Sequence, residues 1–273
     1  MWMRILFAGT GAAEGWPGIF CECDACARAR MIGGKNLRSR CSVHFDNEYK
    51  VDLPPDTYLH ILKYNLNFAD IKHLFITHDH YDHLHSDDLL MRREPFAHMS
   101  EKYDIHIYGS RDVIGSITER LGETSKMGLT LHTLKPFETV NAGEFRVKAL
   151  LADHDPNKVC FIYLFYSRGK IILYGHDSGW FPEETWREIE GFRLDLAILD
   201  CTAGAISSRR NHMGLKEIIE MREYMISKNI ADKDTIFVAT HFSHNGRLLH
   251  DELVEKLYPR GIEVAYDGLI IDL

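Results

Sequence analysis

Residues 78 to 85 read HDHYDHLH, four histidines and two aspartates in eight positions. Imidazole and carboxylate are borderline ligands that suit zinc, manganese or iron. His78 and His80 stand two apart, so in an extended chain their side chains share a face. A turn after them lets Asp82 and His83 point back into the same volume. One ion needs about three protein ligands plus water, so four strong ligands together point to two divalent ions, with more ligands arriving from elsewhere. His154 in LLADHDP, Asp177 in LYGHDSGW and His241 in FVATH each follow an apolar run, where connecting loops collect at one edge of a sheet. Taken singly, they read as a surface histidine, a turn cap and a core histidine. Taken together at strand ends, they read as ligands.

A second cluster lies near the start. CECDAC places Cys21, Cys23 and Cys26 one and two residues apart, in what reads as a loop after the first strand. Three thiolates leave a tetrahedral structural zinc one ligand short. ATHFSH, residues 239 to 244, holds two histidines three apart. If the loop after His241 lies beside the cysteines, His244 completes a Cys3His site, and His241 is left for the catalytic pair. The plainer alternative is three reduced thiols without metal. Cys160 and Cys201 sit in apolar runs and read as core.

The elements that must position these groups follow from periodicity. Short β-rich runs recur at MRILFA, KHLFIT, DIHIYG, LTLHTL, FRVKALLA, VCFIYLFY, KIILYG, DLAILDC, TIFVAT and GIEVAY. Helical spacing with acceptable starts marks DTYLHILKYN, SRDVIGSITERL, PEETWREIE and GLKEIIEMREYMISKN. Strand-heavy first and alternating second, this order predicts an αββα sandwich of two mixed β-sheets flanked by helices. With no repeat, low-complexity tract or linker-like stretch, residues 1–273 are expected to form a single domain.

Composition narrows the function. Hydrophobic residues make up 45% and charged residues 26%, ordinary globular usage. The formal net charge of −8 disfavours a nonspecific polyanion binder, which needs clustered lysine and arginine. Nucleic acid is therefore an unexpected partner and a small anionic substrate an acceptable one, since bound cations supply local positive charge. The first apolar run is too short for a secretory signal, and no window approaches the roughly 18 apolar residues of a membrane span. A cytoplasmic protein with reduced cysteines and no membrane partner is expected. A homodimer is compatible with all of this.

THDHYDH, then a lone histidine, an aspartate after a strand and a late histidine together resemble the metallo-β-lactamase superfamily of dinuclear hydrolases, over nearly the whole chain. The resemblance implies that His78, His80 and His154 hold one ion and Asp82, His83 and His241 a second, with Asp177 bridging. It also implies a supporting role for Asp52, although this chain reads DLP where the family has Asp-x-Gly. CxCxxC after the GTG turn, with THFSHNG and VAYDG near the end, is similar to the PhnP-like phosphodiesterases. Their cysteine pattern is shared by PqqB-like proteins, which generally depart from the full HxHxDH set.

The PhnP-like resemblance implies hydrolysis of a small, cyclic ribosyl or related, phosphodiester. Two ions that share a hydroxide suit that chemistry, and the leaving oxygen must gain a proton. His212, in RRNHMGL before a long helix, matches the histidine found there in PhnP-like proteins and is the candidate donor or phosphate contact. It is expected to join Asp82 as a catalytic residue. Arg209 and Arg210 read as phosphate contacts or a solvated pair, and His85 and His176 as neighbours of the ligands. The competing readings are a ribonuclease Z-like endonuclease, which would want a basic or Gly/Pro-rich arm, then a thioester or lactam hydrolase, and a PqqB-like carrier without turnover.

Overall fold

The structure is a computed structural model and describes residues 2–99 and 103–273. In chain order its elements are β1 (Arg4–Gly9), α1 (Asp24–Ile32), β2 (Ser42–Phe45), β3 (Tyr49–Val51), α2 (Thr57–Tyr64), β4 (His73–Phe75), β5 (Ile105–Gly109), α3 (Arg111–Leu121), β6 (Leu129–Thr133) and β7 (Thr139–Ala142). There follow β8 (Phe145–Leu151), β9 (Phe161–Ser167), β10 (Lys170–Gly175), α4 (Glu183–Ile189), β11 (Leu196–Asp200), α5 (Leu215–Ser227), β12 (Ile236–Thr240), α6 (His250–Leu257), β13 (Glu263–Val264) and β14 (Leu269–Asp272). Two seven-stranded sheets result, ordered β14-β1-β2-β3-β4-β5-β6 and β13-β12-β11-β10-β9-β8-β7. Each is mixed. Strands β3 to β6 and β10 to β13 run parallel, and the remaining pairs are antiparallel.

The unbroken apolar run of β9 follows from burial on both faces. Phe161, Tyr163 and Phe165 point into the inter-sheet core with Phe7, Phe45, Phe75 and Tyr174. Ile162 and Leu164 face the other way, joining a core with Trp186 of α4, Met221 and Met225 of α5 and Leu253 of α6. On the first sheet, Leu74 and Ile107 pack against Val113 and Ile117 of α3. The expected αββα layering is thus the observed one.

Four strands, β2, β3, β7 and β14, have no counterpart among the expected runs. They are only three or four residues long, too short for alternation to register. Two helices, α1 and α6, were also not anticipated. The first corrects the reading of CECDAC as a loop: Cys23 caps α1, and Cys26 lies in its first turn. The alanines and arginines of ACARAR are good helix formers, and they win over the reading suggested by the cysteines.

Lys50 on β3 is completely buried opposite His44 of β2. Its ammonium contacts Ser42 Oγ closely and lies 3.3 Å from His44 Nε2. Burial lowers its pKa from the ordinary 10.5 to about 7, against a partly opposing pull from Asp52 and Asp88. The unfolded chain therefore binds more protons at this position than the folded one between pH 7 and 10.5, so stability rises with pH across that window. Urea unfolding should show the native protein gaining up to about 1.4 kcal/mol per pH unit there relative to Lys50→Met. Parallel pH profiles for the two proteins would contradict this account of Lys50.

Candidate functional site

Strand ends build the site. His78, His80, Asp82 and His83 follow β4, His154 follows β8, Asp177 follows β10 and His241 follows β12. All seven expected ligands meet at one edge of the sandwich. Potential ligand atoms of His78, His80 and His154 lie within 4.8 Å of one another, as do those of Asp82, His83, Asp177 and His241. His80 Nδ1 is 2.9 Å from His78 Nε2 and 3.2 Å from His154 Nε2. Nitrogens about 2.0–2.1 Å from a shared ion would be separated by about 2.9 to 3.4 Å. Asp177 Oδ2 lies 3.4 Å from His78 Nε2, 3.0 Å from His83 Nε2 and 3.6 Å from His241 Nε2. One carboxylate oxygen thus touches donors from both groups, the arrangement a bridging ligand requires.

The donor set fits divalent ions on a further observation. His83 Nε2, His241 Nε2 and Asp177 Oδ1 are buried without a hydrogen-bond partner, which is costly unless a ligand satisfies them. Their orientation is fixed from behind. Asp52 Oδ2 accepts from His83 Nδ1 at 2.8 Å, leaving Nε2 as the free lone pair. Thr77 Oγ1 donates to Asp52 and lies 3.1 Å from His78 Nδ1. Thr202 Oγ1 donates to Asp200 Oδ2 at 2.6 Å and accepts from His241 Nδ1 at 2.7 Å. Burial disfavours charge on His83, yet Asp82 and Asp52 on either side raise its proton affinity well above the ordinary value. The surroundings therefore favour a positive charge at this point.

His176 stays a neighbour, its Nε2 turned to Asp52 Oδ2 at 3.3 Å. His85 caps the 3-10 turn that follows. Arg209 is paired with Glu220 and Arg210 with Asp153, so both behave as anchored surface charges. His212 lies 3.1 Å from Asp177 Oδ1 and 3.5 Å from Asp200 Oδ2, with 32% of its side chain exposed. Burial resists its ionisation, but Asp177 and Asp200 outweigh that and raise its pKa to about 11. A cation shared by Asp177 would draw it back toward neutrality. Asp200 and Thr202 were missed in the sequence. Asp200 ends β11 on the same edge as the ligands, and that position was the available signal.

The cysteine cluster is a second centre. Cys21, Cys23, Cys26 and His244 bring their ligand atoms within 4.8 Å of one another. His244 Nδ1 is 3.6 Å from Cys21 Sγ and 3.5 Å from Cys23 Sγ. A tetrahedron with zinc–sulfur bonds near 2.3 Å and zinc–nitrogen bonds near 2.05 Å has sulfur–nitrogen edges of about 3.6 Å. Slight burial opposes ionisation of Cys23, but hydrogen bonds from the Cys26 amide, Cys21 and His244 lower its pKa to about 6. Its place at the start of α1 acts in the same direction.

The family model described as Beta-lactamase superfamily domain matches residues 57–242. Among curated proteins the chain is similar to the ribonuclease Z of Thermoplasma volcanium, 27% identical over 156 residues, which is 56% of this chain and 45% of that protein. The ribonuclease Z of Thermoplasma acidophilum matches to the same extent. The aligned stretch thus spans about half the length of these relatives. Among solved structures, a diphosphatase from the PhnP family superposes with a TM-score of 0.77 at 21% identity, covering 100% of this chain and 98% of that one. Zn(2+)-bound PqqB from Methylobacterium extorquens gives 0.76 at 17%, over 99% and 100%. The short form of human tRNase Z gives 0.67 at 19%, over 98% of each chain. These are likenesses of fold. No helix among the described residues is long and apolar enough to cross a membrane.

The two centres make separable predictions. His244→Ala or Cys23→Ala should cut bound zinc by about one equivalent per chain and lower stability. His241→Ala should spare that zinc and lose metal from the histidine centre. Metal analysis of the purified variants checks this, and loss of histidine-centre metal with retained thiolate-bound zinc in His244→Ala would reverse the two assignments. Asp52→Asn, which weakens the support behind His83, should lower affinity at the histidine centre roughly 10- to 100-fold, read by competition with a chelator.

Proposed function

Because the chain belongs to the family of β-lactamase superfamily domains, we propose that it is a dinuclear metal-dependent hydrolase of small phosphodiesters, active in the cytoplasm as one domain. His78, His80 and His154 would hold one ion, Asp82, His83 and His241 the other, and Asp177 would bridge them. Zinc, manganese and iron all suit these ligands. The observation that carries the reading is Asp177 Oδ2 within 3.6 Å of imidazole nitrogens from both groups. A pair of divalent ions supplies a water of lowered pKa and neutralises charge on an attacked phosphoryl oxygen. Cys21, Cys23, Cys26 and His244 would hold a structural zinc.

The chain's own contribution is orientation and proton delivery. Asp52, Thr77 and Thr202 fix which imidazole nitrogens face the centre. His212 has Nδ1 3.1 Å from Asp177 Oδ1 and 3.5 Å from Asp200 Oδ2, so these carboxylates orient the ring and its other nitrogen is assigned to donate to the departing ester oxygen. Its exposure leaves it within reach of substrate, whereas the side chains of His78 and His83 are 2% and 0% exposed. Asp82 acts as a ligand beside His83, its Oδ2 2.9 Å from His83 Nε2, and its carboxylate adds negative charge that would favour a cation there.

A ribonuclease Z-like reading draws support from the Thermoplasma relatives, and a PqqB-like carrier from the shared fold. The metal-loaded protein should cleave bis(p-nitrophenyl) phosphate, and Asp177→Ala should abolish this. Cleavage of precursor tRNA in its place would favour the nuclease, and metal binding without turnover of either would favour the carrier. His212→Ala should cost on the order of 10²- to 10⁴-fold in kcat for an ester with an alkoxide leaving group, less for p-nitrophenolate, and leave metal content unchanged. Full activity of this variant on the alkoxide ester would end the proton-donor role.

A further inference from the structure

Tyr81 stands between His80 and Asp82 in the chain, yet its ring turns outward and is 54% exposed. It forms one wall of a cleft of about 470 Å³ whose other lining includes Glu14, Ile19, Phe20, Arg40 and His244. Ile19 and Phe20 are 66% and 98% exposed. Three large apolar side chains thus line one opening, and one of them, Tyr81, is flanked in the chain by His80 and Asp82 of the histidine centre. Scattered exposed hydrophobics need no explanation, but a contiguous set at a site does.

The cysteine cluster holds this wall in place. A Cβ added at Gly18 would lie 3.1 Å from Cys21 Cβ and 3.3 Å from His244 Nε2, so the backbone carrying Ile19 and Phe20 rests on the His244 ring. Across the cleft, Arg40 is equally fixed. Its Nε donates to Ala13 O and its Nη1 to Asp56, while Nη2 has no partner among the described residues. The guanidinium lies 5.9 Å from the Tyr81 ring centroid.

Charge selects the occupant. Asp56 already neutralises Arg40, and Glu14, engaged by Ser243 and 3.5 Å from His244 Nε2, adds a carboxylate to the lining. A second phosphate would meet no net positive charge here. A planar, uncharged ring with acceptor atoms would stack on Tyr81 or Phe20, and an acceptor could take the free Arg40 nitrogen.

We propose that this cleft is a subsite for the nucleobase of a nucleotide-derived substrate whose phosphodiester lies at the histidine centre. The proposal rests on the phosphodiesterase reading for what occupies the centre, and it makes Tyr81, Phe20 and Arg40 specificity determinants.

Calorimetric titration of the metal-loaded protein with adenosine 5′-monophosphate and with ribose 5-phosphate isolates the contribution of the base. The native protein should bind the former about tenfold more tightly, as expected for one stacked base. Tyr81→Ser and Phe20→Ser, both changes at exposed positions, should each bring the ratio toward one. Equal affinities in the native protein, or a ratio that survives in both variants, would overturn the proposal. So would a fall in the ratio that accompanies a change in subunit number, which would assign the face to a second copy of the chain. A tenfold ratio without any phosphodiester cleavage would sink the catalytic reading and leave the subsite standing. Cleavage of bis(p-nitrophenyl) phosphate with a ratio of one would do the opposite.

Discussion

The carboxylate of Asp52 is wholly buried, and the rest of the site hangs from it. It accepts from the Thr77 amide at 2.8 Å, from Thr77 Oγ1 and from His83 Nδ1, and lies 3.3 Å from His176 Nε2. A desolvated carboxylate is costly unless its lone pairs are filled, and here several donors fill them. Burial works against its ionisation, but His83 and His176 outweigh that and hold it well below the usual carboxylate range. Because Thr77 and His83 bracket the HxHxDH segment, one side chain at the end of β3 fixes the course of the loop after β4. Asp52 itself has a φ of 61°, a left-handed conformation that costs about 1–3 kcal/mol in a residue other than glycine. The same backbone state recurs at Asp177 (φ 52°) and His241 (φ 61°). Surrounding hydrogen bonds must over-determine all three turns.

Much of this was legible because ligands and elements obey the same rule. Parallel strands deliver their following loops to one edge, so a histidine or aspartate just past an apolar run is already placed. His154, Asp177 and His241 follow β8, β10 and β12 in that way. The unanticipated residues are those that work through partners distant in sequence. Thr77 lies 25 residues from Asp52, and Thr202 lies 39 from His241. Asp200 has no motif of its own, and its meaning comes only from Thr202, the Met213 amide and His212 converging on it. The helix α1 was hidden for a different reason, since cysteine spacing suggested a loop while local propensity built a helix.

Buried polar chemistry outside the metal centres was also invisible in the sequence. Arg38 is fully buried, donating to Thr10 Oγ1 and Ala265 O and stacking its guanidinium 4.3 Å from the Phe242 ring centroid. Asp267 accepts from Thr10 and from Ser39. Apart from the Arg38–Thr10 bond, these join segments more than 200 residues apart, and nothing in local periodicity marks them. Their effect is to sew the segment before β14 onto the loop after β1.

That stitching explains how one short loop contributes a histidine to each of the two side-chain clusters. Phe242 N donates to Thr10 O and Ala12 N donates to Phe242 O, at 2.9 and 3.0 Å. Ser243 Oγ reaches Glu14. The segment between His241 and His244 is therefore pinned to the N-terminal loop through its backbone, with Arg38 covering Phe242 from the other side. His241 projects toward Asp177 from the left-handed turn at its own position, and His244 projects toward the thiols three residues later. Because the backbone between them is held by hydrogen bonds that involve neither imidazole, the two histidines face different clusters on a path that the chain itself sets. Metal at the cysteine centre would tighten an arrangement that the chain already favours, and its influence on the histidine centre passes through Phe242 and Ser243.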